Sequence, residues 1–446
     1  MKHYIKNKFT GGLVLLTVIL FAGSCKKGIF YPGINDNPSQ FQTPTPANLL
    51  PGIITFTGYE WGGDASRFTS MFMQQTTGTA NQAVQATNYA VGTGDVDYMW
   101  TTGLYGAGIL NTDYQLINTA TATNQLHYEG IGKVLMANGI GLATDLWGDV
   151  PYSQAFQGTA FLNPVYDPQQ QIYTTLDKLL TDAITELSAT ETTPQPSSDD
   201  VLYGGDLGKW TRFAHSLRAK FYLHLAKVDP ANYGKALAEA KLGFSSATDN
   251  AGVLFAGASS TSQNPWYQFN TQRGDISFTG YIYNILNTAN DPRASVYSDG
   301  AGNAGTLYGS QASTVYLITY DELLFIQAEC YFQTSDKINA AITYNAAVAA
   351  NLSRTVGSTT YAATVAKTAL NITLANIMTQ KYIANYLNPE VWTDWRRTGL
   401  PVLTPNPSGV LNGQIPRSLL YPSGEVLNNT STPKNSNMLK HVYWDK

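Results

Sequence analysis

Charge is scarce in this sequence. Asp, Glu, Lys and Arg together make up 13% of the 446 residues, about half the usual quarter. The formal charge is −4, which excludes nucleic acid and anionic membrane surfaces as expected partners. Cysteine is nearly absent as well: there are two, Cys25 and Cys330. Cys330 falls in an apolar helical pattern and reads as a small buried side chain, not a reactive one. The apolar stretch from Leu13 to Ala22 is ten residues, whereas a helix needs about 20 to cross a bilayer. It therefore does not read as a lasting membrane span.

Catalytic and ligating motifs are missing too. No G-x-S-x-G elbow supplies a strained nucleophile, and no H-E-x-x-H supplies a helical zinc pair. His127, His215, His224 and His441 are scattered. Residues 204–209 (GGDLGK) have the wrong glycine spacing for a phosphate loop, and Trp210 replaces the required Ser or Thr. Asp95 and Asp97 lack the remaining ligands of an EF-hand. A glycosidase carboxylate pair needs no fixed spacing, but nothing singles one out. No cofactor and no metal is expected.

What is present begins with Lys2, Lys6 and Lys8, then the short apolar core, then Gly23, Ser24 and Cys25. Basic start, greasy core and small-residue cleavage zone make a secretory signal. A cysteine immediately after small residues marks a lipoprotein, so residues 1–24 are expected to be removed and Cys25 to carry lipid. Each buried acyl CH₂ contributes about 0.8 kcal/mol, so several chains anchor stably. Cleavage takes three lysines and no acid, leaving 24 (27 less 3) basic against 31 acidic residues and a charge of −7. Residues 25–46 hold Pro32, Pro38, Pro44 and Pro46 and read as a tether. Residues 47–446 read as a single binding domain.

In that body Asp167 and Pro168 open a helix whose Ile172, Leu176, Leu179, Leu180, Ala183, Ile184 and Leu187 recur at helical spacing. Helices are also predicted over 210–228, 233–242, 320–332 and 338–352. The last two have the dimensions of a tetratricopeptide-like hairpin, with Ala328, Ala340, Ala341, Ala346 and Ala347 allowing close approach. Residues 96–121 and 125–147 suggest another. Between them, 51–95, 245–317 and 401–443 read as long loops, and long loops are usually functional. The fold class is mainly α, helical hairpins carrying irregular loops and minor β on the ligand and partner face.

Several segments, in order, carry a family resemblance: 145–155 (DLWGDVPYSQA), 166–173 (YDPQQQIY), 208–220 (GKWTRFAHSLRAK), 291–293 (DPR), 320–329 (YDELLFIQAE), Gln380 with Lys381, 392–397 (WTDWRR), 415–417 (IPR) and 421–425 (YPSGE). Together they resemble the SusD-like (SusD/RagB) nutrient-binding lipoproteins, in the branch described as starch-binding and associating with the outer membrane. Two departures stand out: Lys26 and Lys27 replace the acidic run that often follows the lipid cysteine, and His215 stands where an Asn is usual. The resemblance implies a cell-surface, lipid-anchored binding protein that hands a glycan or oligopeptide to a SusC-like TonB-dependent outer-membrane transporter. It implies no enzyme. A surface glycan hydrolase and a protein-recruiting helical scaffold are the competing readings.

Each quoted block also has a structural role: Gly148 and Pro151 bracket a turn, and 392–397 suits an internal ion-pair network. Ligand contacts are therefore expected from aromatic loops. Trp61, Trp266 and Tyr267 are the expected stacking platform, and Arg67, Asn81, Gln82 and Arg273, with Tyr89 nearby, the polar contacts. Ring faces cover C–H surfaces while amides pair with hydroxyls.

Overall fold

The computed structural model describes residues 44–446 except 107 and 436. Cys25, the signal segment and all but the last residues of the tether lie outside that range. Pro46 does not belong to a spacer: it opens α1 (Pro46–Gly62) at a position where its missing N–H costs nothing.

The hairpins are built from amphipathic helices with one buried stripe and from more deeply buried ones, the helix Leu126–Trp147 being buried on nearly all sides. The chain runs through α2 (Asp64–Phe72), α3 (Asn81–Thr87), α4 (Ile109–Ala122), α5 (Leu126–Trp147), α6 (Gln169–Leu187), α7 (Leu207–Leu225) and α8 (Ala231–Leu242). It continues with α9 (Pro265–Arg273), α10 (Tyr281–Thr288), α11 (Tyr320–Gln333), α12 (Lys337–Val356), α13 (Leu374–Ala384) and α14 (Glu390–Thr398). Neighbours in sequence pack as pairs: α4 on α5, α5 on α6, α7 on α8 and α11 on α12. In the α11–α12 pair Ala328, Ala340, Ala341 and Ala347 are buried at the seam, while Ala346 faces out.

Caps show where the sequence places helix starts. Asp206 accepts from the Lys209 amide at 3.0 Å and Asp336 from that of Asn339 at 3.1 Å. At α6 the capping acid is not Asp167, which instead accepts from the Tyr152 and Ser153 amides. Asp149 reaches across to accept from the Gln169 amide at 2.8 Å. The turn after α5 is thereby tied to the start of α6, and Gly148 makes it possible with φ of +92°.

One expected loop is largely helical and another partly so. Residues 51–95 contain α1, α2 and α3, and 245–317 contain α9, α10 and a short helix at Arg293–Tyr297. Pro51 and Gly52 argue against helix by propensity, but Leu50, Ile53, Ile54, Thr57, Gly58 and Trp61 form a buried stripe, and packing overrides propensity. Residues 93–105 reverse the error: a 3₁₀ turn (Thr93–Val96) and a π-helical turn (Met99–Tyr105) stand there, and the α-helix that follows starts at Ile109. The region 401–443 stays irregular apart from Ser423–Asn428. Strand is minor: β1 (Thr77–Gly78) pairs antiparallel with β3 (Ile276–Ser277), and β2 (Ala251–Val253) with β4 (Val315–Ile318).

Beneath the loops lies a network of buried ions. Arg397 bridges Glu329 at 2.9 Å and Asp394 at 2.7 Å, and Lys381 meets Asp394 at 2.8 Å. Arg293 is fully buried and bonds Asp291, Asn351 and Gln380. These are the family segments read from sequence, and they hold elements together away from the surface.

Candidate functional site

The site is built at the corner between α1 and α2. Gly63 turns that corner, and a Cβ there would lie 2.4 Å from the Tyr59 carbonyl oxygen. Gly62 lets α1 close on its neighbours, since a Cβ would fall 2.7 Å from both Pro265 and Val315 side chains. Helix α9 is then pinned in place. Asn264 caps it by accepting from the Trp266 and Tyr267 amides, and the Trp266 indole N–H donates to Ser66 Oγ of α2 at 2.9 Å. With Trp266 buried, Gln268, Phe269 and Gln272 are turned toward α1 and α2. The π-helical turn supplies the third wall with Thr102 and Gly103, and Tyr98 immediately before it.

These walls enclose a cleft of about 480 Å³, within the size range of small-ligand sites. A second lobe of about 300 Å³ adjoins it, with Met71, Gln82, Gln85, Val91, Asp95 and Ile276 in its lining. Asp64, Arg67, Tyr98 and Phe269 line both lobes, so the two form one groove. Tyr98 is 64% exposed and Phe56, at the other end, 47%. Tyr59 donates its hydroxyl to the Thr261 carbonyl at 3.1 Å and leaves part of its ring to the cleft. The groove thus offers aromatic faces flanked by neutral amides.

Charge within it is largely spoken for. Arg67 pairs with Asp64 and lies 4.4 Å over the Phe269 ring. Glu60 sits on the floor, and burial pushes its carboxyl well above the usual carboxylate range; Asp64 adds to the effect and Arg67 opposes it.

Of the residues expected from sequence, the groove takes in Arg67 and Gln82. Trp61 and Trp266 are buried in the core, so neither shows a ring face, and the expected platform with Tyr267 does not form. Tyr267 is half-buried and outside the lining. Tyr89 is buried too, its hydroxyl accepting from the Asn406 amide at 3.0 Å. Asn81 and Arg273 meet at Asp275, with bonds of 2.9 and 3.1 Å, and brace the β1–β3 corner outside the lining. Sequence reasoning missed Phe56, Tyr59, Glu60, Tyr98 and Phe269. The signal was available for Phe56: in a helical reading of α1 it falls to one side of the Ile54, Thr57 and Trp61 stripe.

A second cluster of ionisable side chains lies apart from the groove. Asp145, His224 and Glu390 have ligand atoms close enough to surround an ion. Both imidazole nitrogens are already engaged, Nε2 with Glu390 at 2.8 Å and Nδ1 with the Tyr173 hydroxyl at 2.8 Å. Burial alone would raise the Glu390 pKa, yet His224 and Lys220 hold it below the ordinary range. These contacts form an internal ion-pair network.

Comparison with known proteins bears on the whole chain. A family model described as "Starch-binding associating with outer membrane" (SusD-like) matches residues 38–422. No curated protein matches the sequence significantly. Among solved structures, a SusD/RagB family protein from Bacteroides thetaiotaomicron superimposes with a TM-score of 0.72 at 24% identity, over 90% of this chain and 99% of that one. A chitin-binding protein gives 0.71 at 22%, over 90% and 100%. A chitin-binding SusD homolog from Flavobacterium johnsoniae gives 0.73 at 20%, over 90% and 98%. At these identities the superpositions speak for the fold alone.

Proposed function

From the premise that this chain belongs to the SusD-like family of starch-binding, outer-membrane-associated proteins, we propose that it captures an oligosaccharide in the α1–α2–α9 groove and passes it to a SusC-like TonB-dependent transporter. The observation that carries the reading is the groove itself: Phe56, Tyr59, Tyr98 and Phe269 beside Gln82, Gln85, Gln268 and Gln272. Flat rings cover the C–H faces of sugar rings, and side-chain amides both donate to and accept from hydroxyls. Two structural relatives are described as chitin-binding, which makes chitin oligomers a sensible probe beside starch fragments. Lipid on Cys25 would hold the body at the membrane, and the face presented would be the cell exterior. No step of bond cleavage is assigned to the groove.

The test is calorimetric titration of the purified body with chitohexaose and maltohexaose. Truncating Tyr98 and Phe56 to Ala together should weaken binding of the recognised hexamer by about tenfold or more, given roughly 0.5–1.5 kcal/mol per stacked ring. Unchanged affinity would remove the groove from consideration. Release of reducing ends from either hexamer would favour the hydrolase reading instead.

A further inference from the structure

The groove floor holds one group that the fold leaves unfinished. Glu60 is 5% exposed, and its Oε1 is buried with no hydrogen-bond partner. Gly103 of the π-helical turn crosses directly over the carboxyl: a Cβ there would come within 2.0 Å of Oε2. Asp113 is also buried and unpartnered, but it lines neither lobe of the groove. Glu60 does line the main lobe. A buried polar group without a partner is disfavoured and calls for an explanation, and one that lines a groove has a ligand among the candidates.

The groups that face Glu60 decide what that use is. Asp64 and Arg67 come from α2, and so does the Ala65 backbone N–H, which bonds the carboxyl and opposes the effect of burial; Tyr98 and Tyr59 line the same lobe. Arg67 is committed to Asp64 and to the Phe269 ring. No free cation is left in the lining to balance a carboxylate, and Asp64 opposes one. The carboxylic acid is therefore the form the site favours. In that form the side chain has one O–H donor and retains acceptor capacity, both confined to a small area of the floor.

Building on the groove as the ligand site, we propose that Glu60 is a specificity-determining residue that acts as a carboxylic acid, donating to a ligand carbonyl or hydroxyl oxygen and accepting from a ligand N–H or O–H. The ligand class selected is uncharged, hydroxyl- or amide-bearing. An ammonium group would need the carboxylate that the floor disfavours. An anionic group would face Asp64 and find Arg67 already paired.

Glutamine is the isostere of a protonated glutamic acid, which makes the test sharp. The full-length body and its Glu60→Gln and Glu60→Leu variants are titrated with chitohexaose, maltohexaose and the fully deacetylated glucosamine hexamer, from pH 5 to 9. For a neutral hexamer Glu60→Gln should bind within about twofold of the parent, and Glu60→Leu about tenfold more weakly. The parent's affinity should fall as pH rises through the Glu60 titration, while that of Glu60→Gln stays flat. Equal losses in Glu60→Gln and Glu60→Leu, or tighter binding of the deacetylated hexamer that Glu60→Gln abolishes, would overturn the proposal. So would a ¹³C carboxyl resonance showing Glu60 ionised at pH 7 in the free protein, a readout that needs neither ligand nor the Leu variant. If the Phe56 and Tyr98 truncations weaken binding while both Glu60 variants bind like the parent at every pH, the groove stands and the role of Glu60 falls. If no hexamer binds, both fall together.

Discussion

Asp113 shows how a single residue can work against its own fold. It lies on the buried face of α4 with both carboxyl oxygens unpartnered, and burial pushes its pKa well above the ordinary carboxylate range. The unfolded chain releases this proton first as pH rises, so stability falls with increasing pH from the ordinary carboxylate range upward. Asp113→Asn removes the ionisation. Its thermal midpoint should match the parent's near pH 4 and exceed it at pH 7, by an amount worth about 1 kcal/mol or more. A difference that does not change with pH would show that Asp113 titrates normally. Residue identity alone misleads in the same way at the site. Trp61, Trp266 and Tyr89 carry the large rings that sequence reading assigns to ligand, yet each serves the interior. Trp266 is spent on Ser66 and Tyr89 on Asn406. Smaller or plainer rings, Phe56 and Tyr98, are the ones left exposed.

At the scale of elements, what was legible depended on periodicity. The amphipathic stripe of α6 and the alanine-rich α11–α12 pair announce themselves, because their burial pattern and local propensity agree. In α1 they conflict: Pro51 and Gly52 interrupt a stripe that only tertiary packing rewards. Without the helix, the direction of Trp61 and Phe56 could not be read, and the candidate site went astray with it. The two glycines of this region separate the effects. Gly52 has open space around a new Cβ, so Gly52→Ala should raise stability by about 0.5–1 kcal/mol through helix propensity. At Gly63 the Cβ meets backbone at 2.4 Å, and Gly63→Ala should cost about 1–3 kcal/mol and shift α2 against α1. Denaturant midpoints give the stabilities. Because α2 carries Asp64, Arg67 and Phe68, hexamer affinity should drop in Gly63→Ala and stay level in Gly52→Ala. Equal affinity in the two would mean the corner does not shape the groove.

The whole molecule combines a body that is rigid by construction with an attachment that only the sequence describes. The buried pairs of Arg397 with Glu329 and Asp394, and of Arg354 with Asp321, tie α11, α12 and α14 together. Removing one partner from such a pair strands a buried charge and destabilises strongly, so the scaffold tolerates little change there. Cys25 lies outside the described residues. The lipid anchor proposed there is tested apart from binding. Cys25→Ser leaves the signal segment intact and removes the thiol that lipid requires, and with it about 0.8 kcal/mol of membrane attachment per buried CH₂. The expected outcome is an exported chain that leaves the membrane fraction, while its purified body binds the same hexamer with unchanged affinity. Cell fractionation and calorimetry together check it. Retention of Cys25→Ser in the outer membrane would mean that contacts of the body, such as those with a transporter, hold it there without lipid. Loss of hexamer affinity would mean that the N-terminal segment reaches the groove.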